Sequence, residues 1–203
     1  ISWDVLSRMP EIIVGGGPLD DVGAGRADLH TVSTPCRVGE CDAFFSHSWH
    51  DDALQKWDAL SDWCLEFRRT KKRSPSLWLD KVCIDQNNIG ADLQCLPIFL
   101  GACNLLLVIS GPTYTCRLWC CVELFVYVTM LKEDETRNAP MVLTIGADDE
   151  ENERVRNGWR HFDAAACECS DEEDKKRMFA VIECHPGGVQ GFNSHVKILA
   201  SKL

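Results

Sequence analysis

Short apolar runs alternate with longer amphipathic segments through the middle of this 203-residue chain. Four of the runs have the length and near-continuous hydrophobicity of buried parallel strands. They are CDAFFSHS, SLWLD, NLLLVIS and APMVLTIG. The segments between them repeat apolar residues at helical spacing, as Leu54, Trp57, Cys64 and Phe67 do after the first run. This alternation of strand and helix predicts an α/β fold with a doubly wound parallel sheet.

The beginning of the chain lacks this alternation. Residues 1–40 contain the glycine-rich stretch GGGPLDDVGAG and then Pro35, a composition typical of irregular backbone. We therefore expect an N-terminal arm without regular structure in residues 1–40, followed by one domain in residues 41–203. Because the first residue is Ile rather than Met, we also expect the chain to be a piece of a longer protein.

After the fourth apolar run the pattern becomes mainly helical. An acidic stretch near residues 148–157 is followed by SDEEDKKRMFAVIEC, in which Ser170 and Glu173 have the spacing of a capping box. A last amphipathic segment predicts a helix from about residue 192 to residue 203. The alternating core is thus expected within residues 41–146, with additional helices on its C-terminal side.

Composition restricts the partners that the chain can have. It is 45% hydrophobic, which suits a globular core, and its formal net charge is -10. This charge disfavours nucleic acid and anionic membrane surfaces as partners, because both attract cationic proteins. The most apolar window, residues 96–111, is too short and too interrupted to span a bilayer, so we expect no membrane contact.

The cysteines indicate a reducing compartment. Twelve are present, none in a CxxC pair, and Cys120 and Cys121 are adjacent. This arrangement favours reduced thiols in a cytoplasmic protein over a disulfide framework. One C-terminal group has the atoms to bind zinc, but its spacing matches no common zinc motif, so we expect no metal site. Its members are His161, Cys167, Cys169, Cys184 and His185.

Three predicted loops meet where doubly wound sheets bind their ligands, at the carboxyl ends of the strands. The candidate contacts in the first two loops are Ser46, His47, Ser48, Trp49, Asp80, Lys81 and Cys83. The third loop leads into a helix in which Glu123 is the one charged residue of the stretch LWCCVELFVYV. A carboxylate in such surroundings loses hydration worth roughly several kcal/mol, so the fold must compensate for it or the protein must use it.

The loop residues also have structural interpretations. Residues 46–48 stand where a strand end meets a helix start, which suits phosphate oxygens and helix capping equally. Lys81 fits a surface ion pair with Asp85, and Cys83 fits a buried, unreactive thiol. We expect Asp42 to order the first strand rather than to contact a ligand.

Three stretches together resemble a known family. DAFFSHSWHDD and LLLVISGPTYTCRLWCCVEL resemble the first and third motifs of TIR domains. The second loop, in LWLDKVCIDQNNI, is more similar to the Asp-x-x-Cys-Ile-Asp-Gln signature of fungal heterokaryon-incompatibility (HET) domains, which are themselves TIR-like. The resemblance covers roughly residues 41–146 and implies a flavodoxin-like fold.

The resemblance implies two classes of function. TIR domains are either enzymes that cleave NAD+ or modules that signal by self-association. In the enzymes, the glutamate of a Trp-Cys-x-x-Glu-type helix is catalytic, and that position here is Glu123, with Trp119 four residues before it. The first reading is therefore an NAD+ glycohydrolase that releases nicotinamide and can produce a signalling nucleotide. NAD+ or a related nucleotide is its substrate, and no separate cofactor is implied.

Other interpretations stay open at this stage. The main alternative is a non-enzymatic signalling module that self-associates through TIR-like surfaces, and a third is a nucleotide sensor without turnover. Glu123 also fits an ion pair with Arg117 near the start of its helix, where negative charge is favoured. Trp119 fits either stacking on a ligand ring or packing in the core.

Overall fold

A parallel sheet forms the centre of the protein. A computed structural model describes residues 1–15, 29–84, 95–133 and 138–201. Within these residues the sheet has four strands, all paired in parallel, in the order β2-β1-β3-β4. The strands are β1 (Ala43–His47), β2 (Leu77–Trp78), β3 (Leu106–Ser110) and β4 (Met141–Thr144). The predicted doubly wound α/β class is therefore confirmed.

Helices cover both faces of this sheet. Within the described residues they are α1 (Trp3–Leu6), α2 (Glu11–Val14), α3 (Ala53–Lys71), α4 (Asp80–Cys83), α5 (Leu96–Ala102), α6 (Leu118–Glu133), α7 (Asp149–Arg160), α8 (Glu172–Glu183) and α9 (Gly188–Ala200). Three-residue or four-residue 3-10 turns are found at Leu29–Val32, Tyr114–Cys116 and Ala164–Ala166. None of the helices in the described ranges is long and apolar enough to cross a membrane.

Successive side chains of the central strands enter two separate cores. Phe44 and Val108 pack into a core shared with α5 to α9, whereas Phe45 and Ile109 pack into a core shared with α1 to α3. All five positions of β1 and of β3 are buried. Coverage on both faces explains why these strands read as continuous apolar runs rather than as alternating ones.

The N-terminal arm is more ordered than its composition predicts. It contains α1, α2 and the first 3-10 turn, so the expectation of an arm without regular structure is wrong for these parts. Ile1 exchanges backbone hydrogen bonds of 2.9 and 2.8 Å with Leu77 and so extends the β2 edge. Trp3 packs on Trp57 of α3 with ring centroids 5.4 Å apart. The helices form because they bury apolar side chains against α3, while the glycine-rich stretch lies outside the described residues.

The C-terminal helices exist as predicted, but two of them start at different residues. Asp171, not Ser170, caps α8, because its carboxylate accepts hydrogen bonds from the backbone N–H groups of Glu173 and Asp174. The last helix begins at Gly188, four residues before the predicted Phe192. Phe192 itself is buried among aromatic side chains, so the apolar signal marked the packing face rather than the helix start.

The second loop is also partly helical. Residues 80–83 form the short helix α4, directly after β2, where the sequence predicted a loop. The HET-like residues Asp85 and Gln86 lie outside the described residues, as does the predicted start of the helix that is described from Leu96 as α5.

Candidate functional site

Ser46 and Glu123 meet at the carboxyl edge of the sheet. Ser46 is the fourth residue of β1, and Glu123 lies in the second turn of α6. The Ser46 hydroxyl donates a hydrogen bond of 2.5 Å to Oε2 of Glu123 and lies 2.8 Å from the Tyr114 hydroxyl. A serine hydroxyl carries one proton, so donation to Glu123 leaves Ser46 to accept from Tyr114. Tyr114, Ser46 and Glu123 therefore form a directed chain of hydrogen bonds.

Glu123 titrates far from its usual range. Burial of its carboxyl group raises the pKa to about 8, and the nearby negative charge of Asp80 adds to this, whereas the Ser46 hydrogen bond opposes it. The residue as a whole is half-buried, and it is the burial of the carboxyl group itself that dominates the pKa. In the folded protein without a ligand, the Glu123 carboxyl group is therefore mostly protonated near neutral pH.

The expected ion pair between Glu123 and Arg117 is not formed. The guanidinium of Arg117 lies 3.8 Å from the carboxylate of Glu168 and 3.4 Å from the Ser170 hydroxyl. Within the described ranges, no lysine, arginine or histidine forms a salt bridge with Glu123. The fold therefore compensates for this buried carboxyl by raising its pKa and by one hydrogen bond, not by a counter-ion.

Trp119 lies one helical turn before Glu123 on α6. Its indole is half-buried and packs against the core cluster on the α5 to α9 side of the sheet. Most of the Trp119 side chain is thus used in core packing, and only its exposed part could contact a ligand.

Asp51 fixes the loop that leads from β3 to α6. Its carboxylate accepts three hydrogen bonds, from the backbone N–H groups of Gly111 (3.0 Å) and Thr113 (2.8 Å) and from the Thr113 hydroxyl (2.7 Å). Ser48 supports the same loop, with its hydroxyl 2.7 Å from that of Thr113. The sequence analysis did not find this role, because the partners of Asp51 lie 60 and 62 residues further along the chain. Asp52 is the cap of α3, where it accepts from Gln55 N–H.

Trp49, three residues after Ser46, is surrounded by charged side chains. Its indole N–H donates a 3.0 Å hydrogen bond to Asp80, and two ammonium groups lie over its ring, that of Lys56 at 5.5 Å and that of Lys81 at 5.2 Å. Burial raises the pKa of Asp80, and it lowers the pKa of Lys56. Lys56 is a site residue that sequence reasoning missed, because it falls on the buried face of α3 and donates to the Ser48 carbonyl at 2.7 Å.

His47 lies behind Trp49 and is uncharged. Its ring stacks on Phe45 with centroids 4.5 Å apart and meets the edge of Trp49 at 4.4 Å. Burial holds the pKa of His47 well below its usual range, and the positive charges of Lys56 and Lys81 lower it further. Its Nε2 atom is buried and makes no hydrogen bond within the described part of the chain. His47 therefore cannot supply a positive charge to a phosphate.

The remaining sequence candidates have structural contacts. The thiol of Cys83 is half-buried and accepts a hydrogen bond from Leu79 N–H at 3.5 Å, and burial raises its pKa, as expected for an unreactive thiol. Asp42 binds Arg73 through two contacts of 2.6 Å, which confirms the expectation that it orders the first strand. The ion pair expected between Lys81 and Asp85 stays a prediction, because Asp85 lies outside the described residues.

A broad groove among the described residues lies away from Glu123. It runs between α3 and β4, and its lining includes Trp63, Phe67, Met141 and Leu143. None of the twelve cysteines forms a disulfide, and no three potential metal ligands gather within the described ranges. Neither the protein-family models nor the curated proteins gave a match to this chain.

Proposed function

We propose that this chain is a TIR-like domain that cleaves NAD+ between ribose and nicotinamide, with Glu123 as its catalytic residue. The motif resemblance supports the family, and the surroundings of Glu123 support the chemistry. Its carboxyl group stands at the edge where doubly wound sheets bind ligands. Ser46 holds it, and no cation within the described ranges neutralises it. This unpaired carboxyl is the observation that carries the proposal.

The reaction needs little more than one well-placed carboxylate. Nicotinamide leaves a cationic pyridinium as a neutral molecule, so no general acid has to protonate it. The ribose becomes an oxocarbenium ion, and a carboxylate beside it stabilises this charge, as one of the two carboxylates does in glycosidases. Because the Ser46 hydroxyl donates to Oε2, the carboxyl group is oriented before substrate binds.

The raised pKa of Glu123 suits a cationic substrate. A positive charge next to a buried carboxyl group favours its ionised form. Bound pyridinium would therefore lower the pKa of Glu123 from about 8 and provide the counter-ion that the described protein residues do not. Ionisation of Glu123 and binding of NAD+ are thus coupled in this proposal.

The group around Trp49 supplies contacts for the rest of the dinucleotide. The Lys81 ammonium, on a half-buried side chain, and the buried Lys56 ammonium give this part of the edge positive charge that suits a diphosphate. Trp49 is tied to Asp80 and contacted by both ammonium groups, so it positions these charges rather than offering a free face for stacking. His47 packs against Trp49, and Ser48 stabilises the loop between β3 and α6.

The runner-up function is a signalling module that acts by self-association. One observation favours it: within the described residues β4 is an edge strand, and a groove of mixed apolar and charged lining, with the exposed Met141, runs along it. A non-enzymatic module would oligomerise through such surfaces without changing NAD+. A nucleotide sensor would bind NAD+ and leave it intact.

Free nicotinamide separates these functions. Purified protein is incubated with NAD+, both dilute and clustered on a support, and nicotinamide is quantified by chromatography. Release that scales with protein, and that persists in E172Q, where the exposed Glu172 of α8 is changed, supports the glycohydrolase. Binding of NAD+ without release would support the sensor, and light scattering that shows assembly without binding or release would support the module.

A further inference from the structure

Two buried thiols face each other beside the helix that carries Glu123. Cys121 lies in the first turn of α6, two residues before Glu123, and Cys167 follows the 3-10 turn that precedes α8. Their sulfur atoms are 3.9 Å apart, although 46 residues separate them in the chain. Both residues are 2% exposed.

We propose that Cys121 and Cys167 form a reversible disulfide when the protein meets a peroxide. A disulfide needs a sulfur–sulfur distance of about 2 Å, so the two sulfurs must approach by roughly another 2 Å. The Cys167 thiol is already held near its partner by contacts with the carbonyls of Thr115 (3.3 Å) and Asp163 (3.6 Å). The surrounding backbone is also paired, since Leu118 N–H donates to Glu168 O at 2.9 Å.

The chemistry balances with hydrogen peroxide as the oxidant. Peroxide converts one thiol to a sulfenic acid and releases water, and the second thiol then attacks that sulfur, forms the S–S bond and releases a second water. Burial raises the pKa of Cys121, so its thiolate is scarce and the reaction is slow at neutral pH. Dithiothreitol reverses the reaction by exchange. The bond would tie the start of α6 to the segment that leads into α8.

The other cysteines nearby provide matched controls. Cys120 is adjacent to Cys121 but lies 3.4 Å from the His47 carbonyl, and Cys169 is two residues beyond Cys167. Trypsin cuts after Arg117, Lys132, Arg160 and Lys175, so residues 118–132 and residues 161–175 leave as separate peptides. Cys116, an exposed thiol, falls in a third peptide.

Peptide mapping of the oxidised protein tests the proposal. The full chain is treated with hydrogen peroxide at pH 8, blocked with iodoacetamide and digested without reduction. We expect peptides 118–132 and 161–175 to be linked by a bond that dithiothreitol breaks, in the wild type and in the double variant C120A/C169A. The single variants C121A and C167A should lose the link. Even if these single variants fail to fold, C120A/C169A identifies the linked residues, because it leaves one cysteine in each of the two peptides. Oxidised protein without this link, or with peptide 82–117 (which contains Cys116) joined to peptide 161–175 instead, would overturn the proposal.

Discussion

The Ser46 hydroxyl and the Glu123 carboxylate are hydrogen-bonded at 2.5 Å across 77 residues of sequence. This bond joins the end of β1 to the start of α6, the two elements whose motifs resemble the first and third TIR motifs. It also gives Glu123 its one polar contact within the described side chains. The stability and the chemistry of the edge therefore depend on the same pair.

Glu123 should make stability depend on pH. Its pKa is about 8 in the folded protein against an ordinary value of 4.5, so between these pH values the folded state holds a proton that the unfolded state has lost. The stabilisation that Glu123 contributes through this proton is complete below about pH 4.5. It is lost as pH rises through about 8. Partial exposure of the residue limits the effect to on the order of 2–4 kcal/mol.

Urea denaturation at pH 5, 7 and 9 measures this dependence. Relative to wild type, E123Q should gain free energy of unfolding as pH rises, because glutamine keeps the neutral form at every pH. The exposed variant E172Q should run parallel to wild type. A constant difference between E123Q and wild type across the three pH values would show that Glu123 has an ordinary pKa.

Removal of the Ser46 hydroxyl should cost stability. In S46A the Glu123 carboxyl loses its hydrogen-bond donor, and the buried Tyr114 hydroxyl keeps only its longer, 3.5 Å hydrogen bond to the Cys120 carbonyl, which costs on the order of 1–3 kcal/mol. S61A is the matched control, because the buried Ser61 hydroxyl on α3 has no partner within the described residues. We expect S61A to be neutral or stabilising in thermal melts, and equal losses for both variants would contradict the role of Ser46.

Two neighbouring aspartates should respond differently to the same change. D51N turns an acceptor of three hydrogen bonds into a group that carries donors of its own, so we expect a loss of about 2–3 kcal/mol and a mobile loop between β3 and α6. D52N keeps a side-chain oxygen at the cap of α3, where asparagine is equally suitable, so its effect should stay below about 0.5 kcal/mol. Chemical denaturation of both variants checks the difference, and similar losses would disprove it.

His47 should stay neutral well below pH 6.5. Burial lowers its pKa, so the unfolded state binds a proton before the folded state does, and this residue makes stability fall as pH falls. Nitrogen chemical shifts of the imidazole, followed by NMR from pH 8 to pH 5, should not titrate. A titration of His47 near pH 6.5 would remove the case against its binding phosphate as a cation.

Sequence patterns predicted the strands and helices better than they predicted the side-chain contacts between them. The strands and the main helices follow from local hydrophobicity, which the two-sided burial of β1 and β3 makes continuous. The hydrogen-bonding partners of Asp51 and Ser46 named above come from residues 60 or more positions away, so no local pattern encodes them. The short helices of the arm are also invisible locally, because packing of Trp3 on Trp57 stabilises them rather than their own propensity.

The charge on Glu123 is the centre of the proposed mechanism, and E123Q removes it while keeping the shape. An amide cannot stabilise an oxocarbenium ion, so the loss should fall on kcat, by roughly 10²-fold or more, with KM for NAD+ changed much less. The variant should also melt no earlier than wild type at pH 7, because the protein already holds a mostly neutral group there.

The most direct measurement is nicotinamide release by wild type and E123Q, with thermal melting of both samples at pH 7. We expect wild type to release nicotinamide, and we expect E123Q to melt at the same temperature or higher while release falls by roughly 10²-fold. A wild type that releases no nicotinamide even when clustered, together with an E123Q variant that unfolds early, would contradict a catalytic role and make Glu123 a structural residue.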